Sequence, residues 1–145
     1  MAKFSLHLFF VSFLLNFVWE ITQMPLYSEM GLGIRLDYLE FLRIHWQVSL
    51  QDALMVVAVY LVIGFLLRNW LWAKSFNRGW VILLISLPLW QGIIEYYSVY
   101  LYHRWAYAES MLLIFGIGLS PLLQMLILPS AAILLSRHYI PNSHE

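Results

Sequence analysis

"ALMVVAVYLVIGFLL", residues 53–67, runs without a charge, a proline or a side-chain amide. As a helix it covers roughly 22 Å. Extended to its apolar flanks, roughly Ser49–Trp70, it reaches the ~30 Å of a bilayer's hydrocarbon layer. The run decides the fold because it is not alone. Phe4–Thr22 and Trp80–Leu101 have similar length and character, and a fourth apolar region occupies Met111–Ser136. That last region is interrupted by Gly116, Gly118 and Pro121. "FGIGLSP" (115–121) makes a poor helix centre, so the spanning part should begin near Leu119. The sequence therefore predicts an all-α polytopic membrane protein: a four-transmembrane-helix bundle in one integral membrane domain over residues 1–145. Its spans lie at roughly 4–22, 49–70, 80–101 and 119–136, with interfacial segments at roughly 28–46 and 104–118.

Composition agrees. The 145 residues are 62% hydrophobic and 11% charged, with a mean hydropathy of +0.75. A soluble domain of this size cannot hide so much apolar surface. The formal net charge is zero, which gives no reason to expect nucleic acid as a partner. The absence of cysteine excludes disulfides, thiolate metal sites and thiol redox chemistry. Of the seven Trp and nine Tyr, many sit at the ends of the apolar runs, as in an interfacial aromatic belt. Lys3 followed by an apolar run resembles a signal peptide. No small-residue cleavage site follows, so a retained signal-anchor helix is expected.

Basic residues predict orientation. Lys3, Arg68, Lys74, Arg78 and Arg137 fall on one side; Arg35, Arg43 and Arg104 fall on the other. The larger group places both termini in the cytoplasm. "LDYLEFLRIHW" (36–46) is partly amphipathic and is expected to lie flat on the outer surface.

The polar residues within the spans are few and patterned. Asn16, Glu20, Gln23 and Tyr27 recur at offsets that put them on one helical stripe. Gln91, Glu95, Ser98 and Tyr102 repeat those offsets in the third span, which suggests a pseudo-repeat of two helix hairpins. Asp52 and His45 are seven apart near the start of the second span, and Gln124 lies early in the fourth. All are expected in the outer half of the membrane, where a carboxylate is costly unless protonated, paired or hydrated. Glu20, Asp52 and Glu95 are thus candidate catalytic acids and bases. Asn16, Gln23, His45, Gln91, Arg104, Trp105 and Gln124 are candidate ligand-binding residues. The competing reading is that these groups bond one another only to fix helix packing.

Other motifs are sparse. No HExxH, HxxxH or ExxH spacing occurs, and neither a metal nor a cofactor is expected. His45 with Glu20, Asp52 and Glu95 would make a weak oxygen-rich metal set. His7 reads as a packed histidine rather than a haem ligand. Arg104, within "YHRWAYAES" (102–110), could pair with Glu95 or Glu109, bind a lipid phosphate, or simply anchor at the interface. Pro88 and Pro129 are expected to kink their helices.

The segments "NFVWEITQMPLY" (16–27), "HWQVSLQDALM" (45–55) and "HRWAYAESMLLIFGIGLSPLLQMLILP" (103–129) resemble a group of small bacterial inner-membrane proteins whose function is uncharacterised. Their shared theme is Trp-Glu-x-x-Gln-x-Pro-Leu-Tyr, then His and Asp seven apart, then Glu followed by Arg-Trp-x-Tyr, then Gly-x-x-Pro-Leu-Leu-Gln. The resemblance implies a bacterial inner-membrane location and implicates Glu20, Gln23, His45, Asp52, Glu95, Arg104, Trp105 and Gln124. It supplies no activity. In its chemistry alone the chain is also similar to the emopamil-binding sterol-isomerase-like proteins, which combine intramembrane Glu and His. It lacks their Asp-x-Arg-Tyr and their fifth span.

Three functions compete at this stage. One is cofactor-independent acid–base chemistry on a lipid or isoprenoid-like substrate in an outward-facing polar site. A second is a non-catalytic small subunit or assembly factor of a larger membrane complex. The third is a small transporter, which with four spans would need a homodimer. Membrane lipid is the expected partner in the first.

Overall fold

The computed structural model describes residues 2–28 and 38–140. Four long helices dominate: α1 (Ala2–Gln23), α2 (Tyr38–Leu66), α3 (Arg78–Tyr96) and α4 (Leu119–Ser136). They alternate in direction. The "upper" end is where α1 and α3 finish and α2 and α4 begin; the "lower" end holds the α2–α3 connection. Each helix, with its short extensions, is long and apolar enough to cross a membrane. Less than half of each spanning window is buried inside the protein. The outward faces carry Leu14, Val18, Phe65, Ile85 and Leu89, all exposed. In water that surface would aggregate; in lipid it is at home. The chain is a multi-pass membrane protein of all-α class.

The apolar core fills the lower half. Phe4 packs on Tyr60 (ring centroids 4.6 Å), Tyr60 on Trp72 (5.1 Å) and Trp72 on Trp80 (5.8 Å). Leu8, Val56, Leu83, Leu87 and Ile133 complete it. Trp72, in the connection, donates its indole N–H to the Tyr60 carbonyl at 3.2 Å, which folds the connection back under the bundle. Asn77 caps α3, its side chain accepting from Gly79 N–H at 2.8 Å.

Around the bundle, α1 packs most closely on α2 and α4, and α3 on α4; α2 against α3 is the sparsest seam between neighbouring helices. Two short antiparallel ladders finish the upper end. β1 (Tyr27–Ser28) pairs with β2 (Ala106–Tyr107), tying the end of α1 to the segment after α3. β3 (Leu113–Ile114) and β4 (Ile117–Gly118) form a hairpin leading into α4. Its two turn residues, Phe115 (φ 51) and Gly116 (φ 82), both take positive φ, as a type I′ turn requires.

Two boundaries depart from the sequence reading. α2 begins at Tyr38, not Ser49, so residues 38–46 continue the span instead of lying flat; residues 29–37 fall outside the described part. The cause is packing: Trp46 sits edge-on against Phe13 (4.5 Å), and His45 and Ser49 are buried. Glu40, in the first turn, suits the positive end of the helix dipole. At its far end α2 stops at Leu66, short of Trp70, because the chain turns at Arg68 with φ 49. After Tyr96, α3 tightens its rise and widens into a π-helical turn, Tyr97–Leu101. The start of α4 at Leu119 agrees with the expectation.

Candidate functional site

The polar residues gather under the upper ladders in two clusters. The first centres on Gln124 of α4. Its Nε2 lies 2.9 Å from Asn16 Oδ1, 2.9 Å from Glu20 Oε1 and 3.2 Å from Asp52 Oδ2. Its Oε1 accepts from Gln23 Nε2 at 3.0 Å. Three helices therefore meet on one side chain.

The amide orientations follow from donors that cannot reverse. Trp19 Nε1–H, which can only donate, bonds Gln23 Oε1 at 3.1 Å, and the Ser120 hydroxyl donates to the same oxygen at 2.8 Å. Gln23 must then turn its NH₂ toward Gln124 Oε1, and Gln124 must turn its NH₂ toward the carboxylates. Asn16 is fixed likewise, because its Nδ2 donates to the Ser12 carbonyl at 2.8 Å. The outcome is an imbalance. One NH₂ has two hydrogens, and three acceptors converge on it. No Lys or Arg is ion-paired here; the ion pair among the described residues is Arg43–Glu40, on the surface of α2. One turn from Asn16, the buried Ser12 hydroxyl also has no hydrogen-bond partner.

Burial separates the members by role. Asn16, Gln23 and Gln124 are almost fully enclosed, whereas Glu20 and Asp52 are only half-buried. The amides form the fixed frame, and the two carboxylates keep an accessible face. Asp52 stands at the midpoint of α2 because that helix starts early, and so lies deeper along it than the sequence implied.

The second cluster surrounds Glu95 of α3. Gln91 Nε2 donates to Oε1 at 3.1 Å; Trp105 Nε1 and Tyr107 OH donate to Oε2 at 3.1 and 2.7 Å. Glu95 is 2% exposed, so all of its partners come from the protein. Here donors match acceptors, the reverse of the first cluster.

Tyr27 lies between the two. Its strand pairs it with Tyr107, and the rings are 5.8 Å apart. Burial pushes its phenol well above the usual range, and the nearby carboxylates of Glu95 and then Glu20 add to that. Burial likewise pushes up Tyr107, and its bond to Glu95 adds. Both phenols remain protonated at physiological pH, and Tyr107 donates to Glu95.

Two candidates stand apart. His45 is buried but turns its Nδ1 to the Phe41 carbonyl at 2.8 Å, away from the cluster. Arg104 is exposed and lies over the Tyr102 ring at 5.3 Å; it pairs with neither Glu95 nor Glu109. The remaining eight candidates, Asn16, Glu20, Gln23, Asp52, Gln91, Glu95, Trp105 and Gln124, all fall within the two clusters. Reasoning from sequence missed Trp19, Tyr27, Tyr107 and Ser120. Tyr27 was visible as the last member of its stripe. Tyr107 closes the Arg-Trp-x-Tyr theme but is not on the α3 stripe, where the matching position is Tyr102, and the π-turn rotates Tyr102 outward to 63% exposure. His7 is packed as expected, its Nδ1 3.0 Å from Ser136 Oγ. Among the described residues, no three His, Cys, Asp or Glu side chains group closely enough to hold a metal ion.

No family model, no curated protein and no solved structure matches the chain.

Proposed function

We propose that this is a bacterial inner-membrane protein, both termini cytoplasmic, whose Glu20–Asp52 pair performs acid–base work on a lipid or isoprenoid-like amphiphile. The observation that carries the reading is the donor shortage at Gln124. Two half-buried carboxylates and an amide carbonyl compete for two hydrogens, and a purely structural network would be better served by a matched set. With both carboxyls ionised, a ligand hydroxyl or ammonium supplies the missing donor; with one protonated, its own O–H does, and that proton is the one available to a ligand. The ligand's apolar tail stays in the bilayer, with the sparsest of the four neighbouring helix seams, α2 against α3, as its lateral way in. Glu20 or Asp52 then gives or takes a proton at the ligand's polar end. Glu95, already holding three donors, acts as the fixed counterpart across Tyr27.

The test uses isosteric removal of charge. Glu20→Gln, Asp52→Asn and Glu95→Gln are each expected to insert and keep their helical content. Each should lose function in a deletion strain rescued by the wild-type gene. Native mass spectrometry of the purified wild-type protein should show a bound amphiphile that Glu20→Gln and Asp52→Asn release. Three variants that rescue fully would reduce the cluster to a packing device.

A further inference from the structure

At the lower end, α2 terminates in a conformation its own residue does not favour. Asn69 N–H bonds the Gly64 carbonyl at 2.9 Å, and Arg68 N–H bonds the Phe65 carbonyl at 3.1 Å. This 6→1 and 5→2 pair defines a Schellman termination, whose left-handed residue is ordinarily glycine. Here it is Arg68, with φ 49. A side chain in that region is strained against its own carbonyl, and a local rule broken in this way points to a use for the side chain.

The surroundings indicate the use. Arg68 is exposed, and among the described residues no carboxylate pairs with its guanidinium. With Phe65, Leu66 and Trp70 it lines a surface recess. The recess wall is fixed. The Trp70 ring lies so close to Gly64 that a Cβ there would come within 2.8 Å of it, and Tyr60 OH donates to the Trp70 carbonyl at 2.6 Å. Phe65 and Leu66 are 71% and 64% exposed, on the face of a spanning helix where acyl chains run. An apolar wall, a tryptophan and a cation with no carboxylate partner among the described residues thus meet in one recess at the end of a spanning helix. That combination suits the chain, interface and head group of a phospholipid.

We propose that this recess binds an anionic phospholipid, with the Arg68 guanidinium holding the phosphate and Phe65 and Leu66 carrying the acyl chains. A planar guanidinium can give two parallel N–H bonds to a phosphate, which lysine cannot. The site is at the opposite end of the bundle from Glu20 and Asp52 and does not depend on their function.

The experiment is a lipid titration of the full chain in detergent, read by native mass spectrometry, with phosphatidylglycerol and phosphatidylcholine as probes. The wild-type protein should retain one phosphatidylglycerol at least tenfold more tightly than phosphatidylcholine. Arg68→Gln should abolish that preference. Arg68→Gly is the sharper variant, because glycine suits the left-handed backbone: its thermal midpoint should hold or rise while the preference disappears. Equal retention of both lipids, or a preference surviving in Arg68→Gly, would overturn the proposal. A lowered midpoint in Arg68→Gly would assign the side chain to structure instead. Displacement of the lipid by millimolar inorganic phosphate would make this a phosphate site rather than a lipid site.

Discussion

Gln124 shows how much one residue can carry when its neighbours leave it no choice of orientation. Replacing it with leucine would strip partners from Asn16, Glu20, Asp52 and Gln23 together. Interhelical hydrogen bonds in membranes are individually modest, but a buried group left unpaired costs about 1–3 kcal/mol. Gln124→Leu is therefore expected to destabilise the bundle by roughly 2–4 kcal/mol. Gln91→Leu, which removes a bond within one helix to a Glu95 that keeps two other donors, should cost less than ~1 kcal/mol. Unfolding in mixed micelles would rank the two, and equal losses would contradict the hub. The two buried phenols make a separate prediction. The folded chain holds the protons of Tyr27 and Tyr107 above the ordinary value near pH 10, whereas the unfolded chain releases them there. Above about pH 10 the native state then binds more protons than the unfolded one, so stability should fall as pH rises. Tyr27→Phe with Tyr107→Phe should soften that fall. The double substitution should also leave the ultraviolet signal of tyrosines ionising near pH 10 unchanged, and a loss of amplitude there would show that these phenols are not held back.

At the scale of the elements, the small ladders at the upper end do work that the long helices cannot. The β3–β4 hairpin places Gly118 against Tyr107, where an added Cβ would lie 2.9 Å from the ring. Gly118→Ala should therefore push Tyr107 off Glu95 without touching either residue. Gly118→Ala and Tyr107→Phe should each lower the thermal midpoint, and the double variant should be no worse than the more severe single. Additive losses would uncouple hairpin from carboxylate. This is also where the sequence was least legible. Long apolar runs announced the four helices, because bilayer thickness sets their length whatever their neighbours. The start of α2 was hidden, because Trp46 against Phe13 is a tertiary contact that overrides the polar look of residues 38–46. Glu20 and Gln23 could be placed by counting along one helix. Tyr107 could not, because it reaches Glu95 only after the π-turn and the pairing of β1 with β2, neither of which has a periodic signature. His45 shows the converse: correct spacing from Asp52 put it on the right helix, but its ring found the Phe41 carbonyl first.

For the molecule as a whole, the two ends of the bundle differ in kind. Aromatic and aliphatic side chains pack the lower half, and hydrogen-bonded amides and carboxylates hold the upper half. A chain with that polarity needs a defined orientation, since only one face of the membrane then meets the Glu20–Asp52 cluster. The basic residues Lys3, Arg68, Lys74, Arg78 and Arg137 belong to the lower end and outnumber Arg35, Arg43 and Arg104 toward the other, a positive-inside bias that supports the proposed cytoplasmic placement of the lower end. The absence of cysteine makes the test direct, because any single introduced thiol is the only one present. Ser75→Cys lies in the lower connection and Ser110→Cys in the segment leading to the upper hairpin; both side chains are exposed, so neither substitution disturbs packing. In intact cells a membrane-impermeant maleimide should label Ser110→Cys and spare Ser75→Cys, and lysis should make both reactive. The reverse pattern would turn the carboxylate cluster toward the cytoplasm. It would also move the Arg68 recess to the outer leaflet, leaving each proposed site facing the opposite supply of substrate and lipid.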